Sequence, residues 1–190
     1  MISYYDRKVE YSVKKNHTNK LVISAIFAAI CFVTTCVLAI PSFYTKGYIN
    51  LGDVSVLITA YIIGGGYGAV AAGLGSALAD MSMGFYLYIP VTFVIKALMV
   101  LISAFFLKKA DCTENKKTSA IWVVTGVLLA ELFMITGYFI FELFLYKMGA
   151  FASILGSSIQ GGVCAVISVT AIFALKGNTF VKRIKNILKD

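Results

Sequence analysis

Twenty-six successive residues, Val54 to Ala79, carry no charge. One helix of that length would cross the ~30 Å hydrocarbon core of a bilayer once. The run is broken, however, by Gly64-Gly65-Gly66-Tyr67-Gly68, and three successive glycines are poor helix formers. Whether the run is one helix or two sets the topology of the chain, and the basic residues decide it. Of 17 Lys and Arg, Arg7, Lys8, Lys14, Lys15 and Lys20 precede the first apolar run. Lys108, Lys109, Lys116 and Lys117 flank a polar break, and Lys176, Lys182, Arg183, Lys185 and Lys189 close the chain. The positive-inside rule puts all three clusters in the cytoplasm. A first span over 21–41 leaves the 42–52 loop outside, so an odd number of crossings must precede the cytoplasmic 108–117 loop. One helix for 51–82 plus one for 88–107 gives an even number; a break at the glycines gives an odd one. The chain is therefore expected to be an all-α membrane protein with six transmembrane helices and both termini cytoplasmic. Helices two and three are short, and the rest lie at 21–41, 88–107, 119–146 and 150–175.

Composition agrees with a membrane protein. The chain is 59% hydrophobic and 14% charged, with mean hydropathy +0.87, whereas soluble domains are about half apolar and a quarter charged. A transmembrane β-barrel would alternate in polarity over ~10-residue segments; the runs Leu21–Thr45 and Met148–Leu175 do not. The net charge of +8 would suggest nucleic acid in a soluble chain, but each cluster here abuts an apolar span, so no nucleic-acid partner is expected. The first apolar run is too long for a signal-peptide core and has no small-residue cleavage site before Pro41. It is read as a retained span. The organisation is then a cytoplasmic segment over 1–20, a helical membrane domain over 21–175 and a basic cytoplasmic tail over 176–190. Cys31, Cys36, Cys112 and Cys164 form no C-x-x-C pair and are expected as free thiols.

Most enzymatic signatures are missing. The sole histidine is His17, so H-E-x-x-H metal chemistry is excluded, and no phosphate-binding loop or nucleophile elbow occurs. "GYGAVA" (Gly66–Ala71) loosely matches a dinucleotide fingerprint without the βαβ unit that motif requires. Neither enzyme activity, metal nor cofactor is expected, and the chain has no room for an ATPase.

Charged and polar side chains inside apolar spans are functional hypotheses by default. Asp53 opens the second helix, where the helix dipole favours a carboxylate. Asp80 and Lys96 either pair with each other or line a pocket. Glu131, Tyr138 and Glu142 fall on one stripe of the fifth helix. Ser157, Ser158 and Gln160 lie one to two turns into the sixth, where a buried amide needs partners. By this topology Asp80, Lys96, Tyr138, Glu142, Ser157 and Gln160 gather toward the external half of the bundle. The loop aromatics Phe43, Tyr44, Tyr48, Phe85, Tyr86 and Tyr88 surround them. That describes a pocket for a small flat polar molecule, stacked on rings and hydrogen-bonded at its edges. Small residues four apart, Ala25/Ala29 in the first helix and Gly68/Ala72, Gly73/Ala77 and Gly75/Ala79 in the third, mark faces for close packing. The third-helix set suits the bundle itself, and the first-helix pair suits either the bundle or a partner protein.

Several stretches together carry a resemblance: Ala25-x-x-x-Ala29, "INLGD" (Ile49–Asp53), "GSALAD", "GFYLYIPVTFVIKAL", "GYFIFELFLY" (Gly137–Tyr146) and "SSIQGG". From about Leu21 to Leu175 the chain resembles the S component, the membrane-embedded substrate-binding subunit, of energy-coupling factor (ECF) vitamin transporters, in the riboflavin or hydroxymethylpyrimidine branch. The resemblance implies six helices in a prokaryotic plasma membrane and a vitamin site near the outer face, capped by the first external loop. It also implies docking through Ala25 and Ala29 onto a separate transmembrane coupling protein joined to two ATPases. Lys96, Asp80 and the acids of helix five favour a small ring such as a vitamin B6 vitamer or hydroxymethylpyrimidine, with riboflavin next. The alternative is a self-sufficient proton-coupled transporter in which Glu131, Glu142 and Asp80 relay protons.

Overall fold

The computed structural model describes the backbone of residues 4–41 and 48–189, and the side chains of 17–39 and 50–188. In chain order the elements are α1 (Tyr4–Val37), β1 (Ala39–Pro41), β2 (Tyr48–Asn50), α2 (Gly52–Ile62), α3 (Gly65–Ser82), α4 (Ile89–Asp111), α5 (Lys116–Tyr146), a 3-10 turn at Lys147–Gly149, α6 (Ala150–Lys176) and α7 (Thr179–Lys189). Among the described residues, three helical stretches are long and apolar enough to cross a membrane. They are His17–Val37, Ile89–Asp111 and Lys116–Lys176, the last running through α5, the turn and α6.

The glycine break falls as expected: α2 ends at Ile62 and α3 begins at Gly65. Gly64 and Gly65 have φ of 57° and 53°, in the left-handed region where a side chain costs energy and glycine does not. Three boundaries differ from the sequence reading. The first helix stops at Val37 rather than near 41, because Pro41 forces the residue before it into extended geometry; the chain then forms an antiparallel ribbon pairing Ala39 with Asn50 and Pro41 with Tyr48. At its other end α1 continues back to Tyr4, through the segment expected to stand apart. The basic tail is itself helical: Val181 of α7 is buried, and Lys185 reaches Asp111 at 2.6 Å and lies 3.6 Å from the centroid of the Tyr61 ring.

Helix α3 sits between α1 and α4, and glycine makes both contacts close. A Cβ on Gly75 would lie 2.3 Å from the Ala28 carbonyl oxygen of α1, and one on Gly73 would lie 2.9 Å from the Phe93 carbonyl oxygen of α4. The internal use expected of the third-helix small face is what these contacts give. Helix α2 lies at the centre, touching α1, α4 and α6. Its 11 residues rise only ~16 Å, about half the hydrocarbon core. The ribbon leads into its N-terminus, and Asn50, the last ribbon residue, is buried. A buried non-helical backbone group must find its partner within the protein.

Candidate functional site

The N-terminus of α2 supplies the centre of the site. Asp53, in the first turn of α2, is wholly buried. One carboxylate oxygen forms a short ion pair with the ammonium of Lys96 on α4. The other accepts 2.6 Å from the Gln160 side-chain amide of α6. Gln160 then turns its carbonyl to the Asn50 backbone N–H at 2.9 Å, and Asn50 Oδ1 accepts from the Gly52 N–H at 2.7 Å. The Cys164 thiol points at the Asn50 carbonyl, 3.8 Å away. This chain of bonds fastens α4, α2, α6 and the ribbon together and satisfies the non-helical backbone that enters α2.

Lys96 therefore pairs with Asp53 and not with Asp80. Asp80 is buried on α3, one helix further along the sequence from the carboxylate that reaches the lysine. The dipole reading of Asp53 holds for its position in the first turn but misses its larger role as counter-ion.

Glu131 of α5 faces this centre. It is 3% exposed, and neither carboxyl oxygen has a hydrogen-bond partner among the described residues. Gly161 leaves room for it, since a Cβ there would be 3.4 Å from Glu131 Oε2. The ligand-capable atoms of Asp53, Glu131 and Cys164 lie within 4.8 Å of one another. A lysine ammonium already neutralises Asp53, so the trio lacks the open anionic donor set that a hard cation requires.

A second polar cluster closes the corner where α4 begins, α5 ends and α6 begins. Tyr88 donates to Glu142 at 3.1 Å, and Ser153 donates to the other Glu142 oxygen in a short bond. All three are buried. Both Glu142 oxygens are thus occupied by protein donors. Tyr138 joins the two clusters: its hydroxyl donates to Thr92 at 3.0 Å, its ring lies 5.3 Å from the Lys96 ammonium and 6.4 Å from the Tyr88 ring.

Of the residues picked out from sequence, Lys96, Tyr138, Gln160, Tyr88 and Glu142 belong to these clusters. Tyr86 does not; at 68% exposed it points away. Ser157 is half-buried. The side chains of Phe43, Tyr44 and Tyr48 lie outside the described residues. Sequence reasoning left out Asp53, Asn50 and Ser153 as site members. The sequence signal for Asn50 is its place in "INLGD"; Asp53 carries in addition its position at the start of a helix.

Long apolar helices packed around a buried ion pair define a multi-pass membrane protein. The chain matches the family described as "ECF-type riboflavin transporter, S component" over residues 15–177, and it belongs to that family. As an S component it is a transport subunit of a prokaryotic membrane, not an enzyme. It is also 31% identical, over 135 residues, to a Pyrococcus woesei protein described as "Uncharacterized protein in gap 3'region"; the match covers 71% of this chain and 86% of the relative.

Proposed function

We propose that the chain is the substrate-capturing subunit of an ECF-type importer, crossing the membrane six times with both termini cytoplasmic. It takes a vitamin from the outer face and hands it on through a coupling protein and two ATPases. The observation that carries this reading is the buried centre Asp53–Lys96–Gln160 with Glu131 beside it, in a chain of this family. Protein partners satisfy Asp53 and Glu142 fully, while Glu131 offers two acceptor oxygens inside the bundle. An unsatisfied buried acceptor is costly, and a ligand N–H or O–H removes the cost.

Riboflavin is the ligand proposed first. The family description favours it, and the argument for a small pyridine or pyrimidine is weaker now that Lys96 and Glu142 are engaged within the protein. A vitamin B6 vitamer or hydroxymethylpyrimidine is the alternative. Tyr138, Gln160, Glu131, Asp80, Ser157 and Tyr48 are proposed to line the site. Coupling is proposed to use Ala25 and Ala29, both exposed on α1. Ala25 also borders a groove of about 500 Å³ between α1 and α3, lined by Leu21, Tyr67, Val70 and Leu74 among others.

Native mass spectrometry of the gently purified chain, with flavin fluorescence quenching on added riboflavin, tests the reading. Retention or quenching at submicromolar riboflavin supports it. Binding of pyridoxine or hydroxymethylpyrimidine instead keeps the subunit and changes the ligand. Vitamin uptake that proceeds without any ATPase partner refutes it.

A further inference from the structure

The interior of the bundle holds more acid than base. Asp53, Asp80, Glu131 and Glu142 are buried, and Lys96 is the one buried cation among the described residues. Asp53 takes the Lys96 ammonium, and Glu142 takes the Tyr88 and Ser153 hydroxyls. Glu131 takes neither kind of donor: both of its oxygens lack a hydrogen-bond partner among the described residues. The titratable groups that face it are Asp53 from α2, Lys96 from α4 and Cys164 from α6. Along its own helix, the Tyr138 hydroxyl is committed to Thr92.

Ionising Glu131 beside Asp53 would leave this centre one negative charge in excess of its single ammonium. A buried charge without a partner costs far more than a buried neutral polar group, and two carboxylates sharing one site oppose each other's ionisation. One proton on Glu131 removes the excess. The carboxyl then ceases to be a pair of acceptors and becomes one O–H donor beside one C=O acceptor. Gly161 of α6 sets no side chain against it; a Cβ there would stand 3.4 Å from Oε2.

We propose that Glu131 is a neutral carboxylic acid before ligand binds, and that it selects an uncharged ring by one edge. The matching edge carries an N–H donor next to an acceptor, so that the acid O–H and C=O each make one bond in a closed pair. A lactam or imide has that edge, and so does an aminopyrimidine, whose amino group adjoins a ring nitrogen. Resting on the reading of this centre as the vitamin site, the assignment narrows the ligand by chemistry. The imide of riboflavin and the aminopyrimidine of hydroxymethylpyrimidine both qualify; pyridoxine, which has no N–H, does not.

Two measurements on the full chain in an ester-free detergent test this. The first is the infrared difference spectrum between ligand-free wild type and Glu131→Gln. A protonated-carboxyl C=O band is expected that the variant lacks, and its absence from the wild type overturns the proposal whether or not a vitamin binds. The second is binding, by fluorescence quenching for riboflavin and by calorimetry for hydroxymethylpyrimidine and pyridoxine. Glu131→Leu removes both bonds and should weaken binding by about tenfold or more. It forfeits no hydrogen bond within the protein, so an unfolding midpoint at or above that of the wild type shows that it is folded. Glu131→Gln, which sets a donor beside an acceptor as the acid does, should weaken binding several-fold less. Equal losses in the two variants, no loss in Glu131→Leu, or a preference for pyridoxine each overturns the proposal. A wild type that shows the acid band but binds none of the three refutes the vitamin reading, and the ligand edge with it.

Discussion

Removing either half of the Asp53–Lys96 pair is predicted to damage the protein far more than removing both. The two side chains are 0% and 3% exposed, so each is out of reach of water. Stripping one partner from a buried pair leaves an uncompensated charge and typically costs ~3–5 kcal/mol, whereas replacing both by apolar groups of similar volume is often close to neutral. Lys96→Met leaves the Asp53 carboxylate with Gln160 as its remaining hydrogen-bond partner. Asp53→Asn takes from the ammonium the one carboxylate it bonds to among the described residues. Its amide also cannot serve both neighbours, since one side must present an acceptor to Lys96 and the other an acceptor to Gln160. The double variant Asp53→Asn/Lys96→Met removes both charges at once. If each single change costs ~3–5 kcal/mol and the double costs no more than one of them, the coupling energy is about 3 kcal/mol or more. The assay is reversible unfolding of all four proteins in mixed micelles, followed by Trp122 fluorescence. Losses that add, with coupling below ~0.5 kcal/mol, would refute the claim that this pair neutralises itself inside the bundle.

Other consequences are briefer. Gly75→Val places a side chain where the Cβ alone would sit 2.3 Å from the Ala28 carbonyl oxygen; overpacking of this kind costs ~1–3 kcal/mol or more, read as lost expression of folded protein, while Gly66→Ala, with nothing within 4 Å, should express normally. Glu142→Ala takes the buried Tyr88 hydroxyl's acceptor away, while Ser153 keeps the Ala150 carbonyl at 2.8 Å, and should lower the midpoint of unfolding by the equivalent of ~1–3 kcal/mol; Glu142→Gln, which keeps an acceptor, should lose less. Ala25→Trp and Ala29→Trp, on the exposed face of α1, should spare vitamin binding by the isolated subunit and abolish uptake by the assembled transporter, as measured with radiolabelled substrate in proteoliposomes.

How much of this was legible in the sequence follows from what each feature depends on. The break at Gly64–Gly65 and the succession of α1 to α6 depend on local backbone chemistry and on charge at span ends, and both can be read from a few neighbouring letters. The partner of Lys96 cannot. Asp80 is the nearer carboxylate along the chain, but α2 and α3 both pack on α4, and only their depth and rotation decide which acid reaches the ammonium. Asp53 looked complete as a dipole partner because it opens a helix, and that local explanation concealed the long-range one. Tyr86 and Tyr88 illustrate the same limit over two residues. They flank the entry to α4, where the periodicity that assigns faces has not yet begun, and one is exposed while the other is buried. The amphipathic pattern of α7, with Val181, Ile184 and Leu188 on one side and Lys182, Arg183 and Asn186 on the other, was there to be read; the charge run alone drew notice.

Gln160 offers the sharpest test of whether the polar centre holds the ribbon in place. Its amide spans two jobs that usually fall to different residues, donating to Asp53 and accepting from the Asn50 N–H. Gln160→Ala deletes both bonds but leaves the Asp53–Lys96 pair in place, so α2 and α4 keep their strongest link. The Asn50 N–H, by contrast, loses its acceptor at a depth where water does not replace it, at a cost of ~1–3 kcal/mol. The expected result is local. Hydrogen exchange at Asn50 and its ribbon neighbours should quicken by about tenfold or more, with little change in the middle of α2 or α4. Exchange that quickens equally throughout α2 would mean that Gln160 supports the helix rather than the ribbon. No change at Asn50 would mean that the ribbon is held by its pairing with β1 alone.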